Sequence, residues 1–245
     1  MKTNVLLTLS YDGTNFYGYQ VQPNKRTVQS ELEKAIFSLT GETVKTVASG
    51  RTDSGVHAVD QKVNFITSST IPAEKFCDAL NVYLPSDVKV LKSKKVSKTF
   101  NARYSAKKKT YVYNCYFSKI ALPLEDRYAV KIPEKVDVNL IKQGITILQG
   151  TNDYKCFLAS GSSVKNTVRT IYKASVTKTK NGLKFTFTGN GFLYNMVRIM
   201  VGTLIEIGLK TKTVNDLKTA LLTGNRKLVG KTMPPNGLTL QKVIY

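Results

Sequence analysis

"NVLLTLSYD" (4–12) and "TVQSELEKAIFSL" (27–39) follow one another near the start of a 245-residue chain. In the first, Val5, Leu7, Leu9 and Tyr11 recur at every second residue, the mark of a strand with one apolar face. In the second, Val28, Leu32, Ile36 and Leu39 recur at helical spacing and form one stripe. Two more strand-like runs come next, "TVKTVASG" (43–50) and "VDQKVNFI" (59–66). Pro72 then suits a first helical position, Phe76, Leu80 and Tyr83 supply the stripe, and Pro85 stops the helix. "VKVLKSKKV" (88–96) closes the series. The order is β-α-β-β-α-β, a split βαβ or ferredoxin-like pattern.

The second half repeats that order of elements with little residue identity. "YVYNCYF" (111–117) puts Tyr111, Tyr113, Cys115 and Phe117 on one strand face. Asp137 is placed to cap a helix with Ile141, Ile145 and Leu148 inward. "TVRTIYKASVTKT" (167–179) and "LKFTFTG" (183–189) form a pair through the turn at Asn181-Gly182. "FLYNMVRIMVGTLIEIG" (192–208) is a long helix, "VNDLKTALLTG" (214–224) a shorter one, and "LTLQKVIY" (238–245) a last strand. The expected fold is α+β: two related split-βαβ (ferredoxin-like) units, 1–106 and 107–245. Mainly antiparallel sheets are flanked by helices, with a cleft between the units, and the first unit carries the loop discussed below.

Hydrophobic residues make up 42% of the chain, enough for a sizeable core and too many for general disorder. No run reaches the roughly 18 uninterrupted apolar residues of a membrane span. The N-terminus alternates like a strand and lacks a small-residue cleavage site, so no signal peptide is expected. Three scattered cysteines and a single histidine leave nothing to build a zinc site with, and free thiols fit a reducing cytoplasm. Formal net charge is +21. It is concentrated in two tracts without any acidic residue, between Asp87 and Glu125 and between Asp153 and Glu206. Such tracts point to a polyanion, and nucleic acid is preferred over membrane because no basic amphipathic helix accompanies them.

"SGRTDSGVHAV" (49–59) joins two of the expected strands. Asp and Gly are ordinary turn residues, and from this motif alone a charged surface turn is the simpler reading. On a surface that binds polyanions, however, an ionised Asp53 needs a chemical reason, and a neighbouring Arg51 would keep it ionised. His57, the one histidine, has no carboxylate at suitable spacing and reads as a structural hydrogen-bonder. Asp60 reads as a solvent-facing strand residue. "GNRKLVGKT" (224–232) resembles a phosphate loop but has five residues between its glycines where four are needed, and Pro234-Pro235 forbid the following helix. With no GxGxxG either, no nucleotide cofactor and no metal is expected.

Taken together, these segments resemble the TruA family of bacterial tRNA pseudouridine synthases. "YDGTNFYGYQVQ" (11–22) is similar to the family's opening signature and "GRTDSGVHA" (50–58) to its catalytic loop. "FNARYSAKKKTYVY" (100–113), "NTVRTI" (166–171), the 192–208 segment and "GLTL" (237–240) follow in the family's order. Tyr19 stands where the family usually has Trp, and Ser54 where it usually has Ala. The resemblance implies an isomerase with Asp53 as the essential carboxylate, Arg51 beside it in the catalytic loop and Arg198 as the cation paired with that carboxylate. It makes Tyr111 the ring that stacks on the target base. It assigns Phe100, Asn101, Ala102, Arg103 and Tyr104 to tRNA, together with Thr167, Val168, Arg169, Thr170 and Ile171. The run Lys107, Lys108 and Lys109 adds to that surface on charge. A cytoplasmic homodimer acting on uridines 38–40 of the anticodon arm is implied as well.

The residues themselves agree in part. Tyr111, taken at a strand start, is placed to project and stack on an extruded base. Arg198 lies one helical step off an apolar stripe, with Tyr194 four residues before it, where a lone cation needs a carboxylate. Two other classes stand beside this one. An RNA glycosylase would ordinarily pair two carboxylates, and only one good candidate is present. A non-catalytic RNA-binding protein of the RRM type needs an aromatic strand motif that is missing.

Overall fold

The computed structural model describes residues 2–245. The chain forms two compact units, one running up to Lys107 and including Thr239–Tyr245, the other Lys108–Leu238.

In the first unit, β1 (Thr3–Tyr11) leads into α1 (Val28–Thr40), then β2 (Val47–Ala48), β3 (His57–Thr67), α2 (Phe76–Tyr83) and β4 (Val88–Val96). β1 is antiparallel to both β3 and β4. β2 pairs antiparallel with β3 through Val47–Asn64 and Ala48–Val63. α1 starts with a capping box: Thr27 Oγ1 accepts the Ser30 N–H, and Ser30 Oγ accepts the Thr27 N–H. It buries Val28, Leu32, Ala35 and Ile36. Phe65 of β3 meets Phe76 of α2 edge-on at 5.4 Å, joining sheet and helix in one core. α2 opens with a 3-10 turn at Ala73–Lys75 and has only eight α-helical residues. Tyr83, expected on its buried stripe, is 49% exposed; Phe76 and Leu80 carry the packing.

The second unit has β5 (Lys108–Phe117), β6 (Val130–Ile132), α3 (Val138–Ile147), β7 (Gly150–Asp153), β8 (Val168–Thr179), β9 (Gly182–Gly189), α4 (Met196–Gly208) and α5 (Val214–Thr223). β5, β9, β8 and β7 are neighbours in that order and antiparallel, and β6 runs parallel on β5. Asp137 caps α3 by accepting the N–H groups of Asn139 and Leu140, as expected. Ile141, Ile145 and Leu148 are buried. α4 begins at Met196, four residues later than its apolar run suggests, because Asn195 adopts a left-handed conformation (φ 59°) that no helix interior accommodates.

The last strand, β10 (Leu238–Ile244), corrects the expected division. Thr239 and Leu240 pair in parallel with His57 and Ala58 of β3, so 239–245 packs with the first unit. Val243 N–H donates to Asp60 Oδ2 at 2.9 Å, and Tyr245 Oη donates to the Ala102 carbonyl at 2.9 Å. Asp60 is therefore half-buried and engaged, and does not simply face solvent. The overall class is α+β, with mostly antiparallel strands and five α-helices among the described residues. None of these helices is long and apolar enough to cross a membrane.

Candidate active site

Residues 49–56, between β2 and β3, are held from beneath and from the side. Gln61 has no exposed surface; its Oε1 accepts from Ser49 Oγ (2.6 Å), and its Nε2 donates to the Gly50 carbonyl (2.8 Å). Thr52 points inward, with its Oγ1 2.8 Å from Tyr11 Oη and its carbonyl accepting the Tyr19 N–H at 3.0 Å. The Asp53 carbonyl accepts the Val56 N–H at 3.1 Å across a turn in which Gly55 has φ 78°. Phe16 closes the other side: its carbonyl accepts from Ser54 Oγ (3.2 Å) and from the Gly55 N–H (3.3 Å).

Two glycines make that approach possible. A Cβ on Gly13 would lie 2.1 Å from the Val56 carbonyl oxygen; one on Gly18 (φ 80°) would lie 2.9 Å from the Thr52 carbonyl oxygen. The 11–22 signature is thus the clamp on the 49–56 loop. A ring and an ion pair fix the clamp in turn. Arg26 stacks 4.2 Å over Phe16 and makes two hydrogen bonds to Asp87, at 2.7 and 2.8 Å. Those bonds hold the Asp87 carboxyl below its usual value. His57, buried, accepts the Gly13 N–H on Nδ1 at 3.0 Å, and Asp12 Oδ1 lies 3.1 Å from the same nitrogen. The histidine ties the clamp to the start of β3. Within this frame Arg51 is exposed, Thr52 buried and Asp53 half-buried. A rigid backbone therefore offers the carboxylate.

Residues 97–105 are the second built feature of this unit. Asn4 and Asn64, both buried, bond to one another (2.9 Å) and to the passing backbone. Asn4 Nδ2 donates to the carbonyls of Ser97 (2.9 Å) and Phe100 (3.0 Å), and Asn64 Oδ1 accepts the Ala102 N–H (2.8 Å). Removing either amide would leave buried partners unsatisfied, at about 1–3 kcal/mol each. Asn101 Oδ1 then accepts the N–H groups of Arg103 and Tyr104, turning those two side chains outward. Tyr104 is 78% exposed, whereas Ala102 has no exposed surface and acts as the anchor. Lys107 is exposed.

In the second unit, Tyr111 is the fourth residue of β5 rather than its first, because β9 extends the pairing back to Lys109. Its ring is 8% exposed and meets Phe192 edge-on at 5.2 Å. Lys108 Nζ lies 4.9 Å over the Tyr172 ring, and Lys109 is half-buried. Arg198 sits half-buried in the first turn of α4. Its Nε donates to the Met233 carbonyl (2.7 Å) and its Nη1 to Asn195 Oδ1 (2.6 Å). The left-handed Asn195, three residues before it, supplies that side-chain acceptor. Along 167–171, Val168 is exposed, Thr167, Arg169 and Thr170 are half-buried, and Ile171 is buried. Burial pulls the Arg169 guanidinium below its usual value.

Sequence reasoning passed over Gln61, Asn4 and Asn64. Asn4 and Asn64 carry one signal, a polar residue beside Val5 and between Val63 and Phe65 in a strand, which a buried hydrogen-bonding post explains, whereas Gln61, between Asp60 and Lys62, carries none.

A family pattern described as tRNA pseudouridine synthase matches residues 8–105 and 145–245. The chain belongs to that family, whose members are isomerases. Its relatives narrow this to the A type. It is 45% identical over 242 residues to "tRNA pseudouridine synthase A" of Clostridium botulinum (strain Eklund 17B / Type B), covering 99% of each chain. Identity is 43% over 242 residues to the protein of that name from Caldicellulosiruptor bescii, again covering 99% of each. It is 44% over 240 residues to that of Bacillus licheniformis, covering 97% of each.

Proposed function

We propose that the protein isomerises uridine to pseudouridine in the anticodon stem-loop of tRNA, at positions 38–40, with Asp53 as the catalytic carboxylate. The clamped 49–56 loop carries this reading: one half-buried carboxylate on a backbone fixed at Ser49, Gly50, Thr52, Ser54 and Gly55. Pseudouridine formation breaks the N1–C1′ bond, turns the uracil and joins C1′ to C5; C5 gives up its proton to solvent and N1 takes one up, so composition and oxidation state are unchanged. Attack at C1′, addition at C6 and removal of the C2′ proton each need an ionised carboxylate at this place. Extruding the uridine costs a few kcal/mol, less in a loop region than in a long duplex. Tyr111 is the ring for the detached base. Arg51 and Arg198 are the cations that favour ionised Asp53. Purified protein incubated with unmodified tRNA tests the assignment: tritium release from C5-labelled uridine supports it, and none contradicts it.

Lys107, Lys108 and Lys109 are read as phosphate contacts. Changing all three to alanine is expected to weaken tRNA binding and to lower its salt dependence by about one unit of slope per lost contact. Filter binding across a salt series checks this; an unchanged slope would make the run a solvated face. The resemblance also carries a cytoplasmic homodimer in which each tRNA touches both subunits. Light scattering under assay conditions should give the dimer mass, and a monomer that is active would contradict it.

A further inference from the structure

We infer that the first unit carries RNA contact beyond the 100–104 segment into a basic groove at the far end of β3. This rests on the tRNA reading above and extends it from the reacting nucleotide to the body of the substrate. The groove is open, with a volume of about 760 Å³. Its walls are the end of β3 from Asn64 to Thr67 with Ser68 just after it, the segment from Glu42 to Val47, and residues 98–101. Lys2, Lys45 and Lys98 line it from three separate stretches of chain, and all three are exposed.

Glu42 is the one acidic residue of the lining, and its carboxylate is committed to structure. It accepts from Thr67 Oγ1 (2.5 Å) and from the Ser68 N–H (2.9 Å). Three ammonium groups against one engaged carboxylate make a site for phosphates. Beyond Lys98 the same sign continues along β4 in the exposed Lys92, Lys94 and Lys95. The floor is preorganised as well. Asn4 and Asn64 fix the Phe100 carbonyl from beneath, and the Phe100 ring rests on Tyr245 at 4.9 Å. A polyanion docking here meets a fixed wall, with less ordering cost than a mobile loop would impose.

Distance gives the site its meaning. Ala58 pairs with Tyr11, the residue that holds Thr52, and Phe65–Thr67 lie about eight residues further along the same strand. At about 3.3 Å per residue, that far end of the groove is about 25 Å from the Tyr11–Thr52 contact, while the near edge at Val47 and Asn64 lies closer to the start of the loop. A ligand touching both must reach well beyond the reacting uridine, as a folded tRNA does and an excised hairpin does not. The groove thus favours whole tRNA over fragments through binding and not through chemistry.

The test compares wild type with the combined Lys2→Ala, Lys45→Ala, Lys98→Ala variant on two substrates, an intact tRNA and its excised anticodon stem-loop. For tRNA, KM is expected to rise about tenfold near physiological salt. The slope of log KM against log salt should fall by about two units, near 0.7–0.9 for each lost phosphate contact. kcat for tRNA and both constants for the stem-loop should stay at wild-type values. The matching Lys→Arg combination should restore the tRNA KM, which separates charge from any loss of folding. An unchanged tRNA KM and slope, or an equal rise in KM for the stem-loop, overturns the groove. Wild type inactive on both substrates would instead overturn the tRNA reading itself.

Discussion

Asp53→Asn is expected to abolish pseudouridine formation, with the rate falling at least about a thousandfold, while tRNA affinity stays nearly intact. The substitution keeps the side chain's shape and removes its charge, its basicity and its nucleophilicity together. Binding survives because the phosphate contacts are assigned elsewhere, to Arg103, the 107–109 lysines and the 167–171 segment. Affinity should even gain slightly, since an anion is removed from a surface that meets phosphates. Tritium release from C5-labelled tRNA measures the chemistry and filter binding the affinity. Release near the wild-type rate from the asparagine variant would remove Asp53 from the reaction. Loss of binding in parallel with activity would make it a contact residue only.

The second large effect is expected at Gly13. A methyl group there meets the Val56 carbonyl oxygen at 2.1 Å and its carbon at 2.5 Å, so the clash is with backbone and no rotamer change relieves it. Either the 12–14 turn or the 53–56 turn must move. Overpacking of this kind costs about 1–3 kcal/mol, which lowers Tm by several degrees in a chain of this length. The larger consequence is catalytic, because a shift of about 1 Å at the reacting group costs on the order of a hundredfold in rate. Gly13→Ala should therefore cut kcat about a hundredfold with little change in KM for tRNA. Gly41→Ala is the control. Its φ of 73° makes it strained too, but no atom lies within 4 Å of the added Cβ, so stability falls and kcat does not. Equal kcat losses in the two variants would mean that the clamp does not position the loop.

Much of this architecture is legible in local pattern. β4 spans the residues its alternation marks, α1 begins at its Thr27 cap, and Asp137 caps α3 as its type suggests. Local pattern fails where a distant partner decides. The apolar run from Phe192 looks helical throughout, yet the left-handed Asn195 delays α4 to Met196. "LTLQKVIY" follows the second set of elements in sequence, yet its strand pairs with β3 of the first unit. Tyr111 becomes interior to β5 only because β9 lengthens the pairing.

The candidate site divides the same way. Nothing in "GRTDSGVHA" by itself separates a catalytic aspartate from a turn aspartate; the catalytic reading draws on the ordered resemblance along the chain. Its supports are almost illegible. Gln61, Asn4 and Asn64 are buried polar posts whose partners lie in the loop at 49–50 and the segment at 97–102, and single residues in a strand do not announce such partners. The glycines of the 11–22 signature look like turn residues, and their close approach to the 52–56 backbone is a tertiary fact.

The most direct measurement is nucleotide-resolution mapping of pseudouridine in tRNA from a strain lacking this gene, with and without the gene restored. Pseudouridine at positions 38–40 should disappear in the deletion strain, return with the wild-type gene and stay absent with the Asp53→Asn gene. Pseudouridine persisting at those positions in the deletion strain, or restored by the Asp53→Asn gene, would contradict the account.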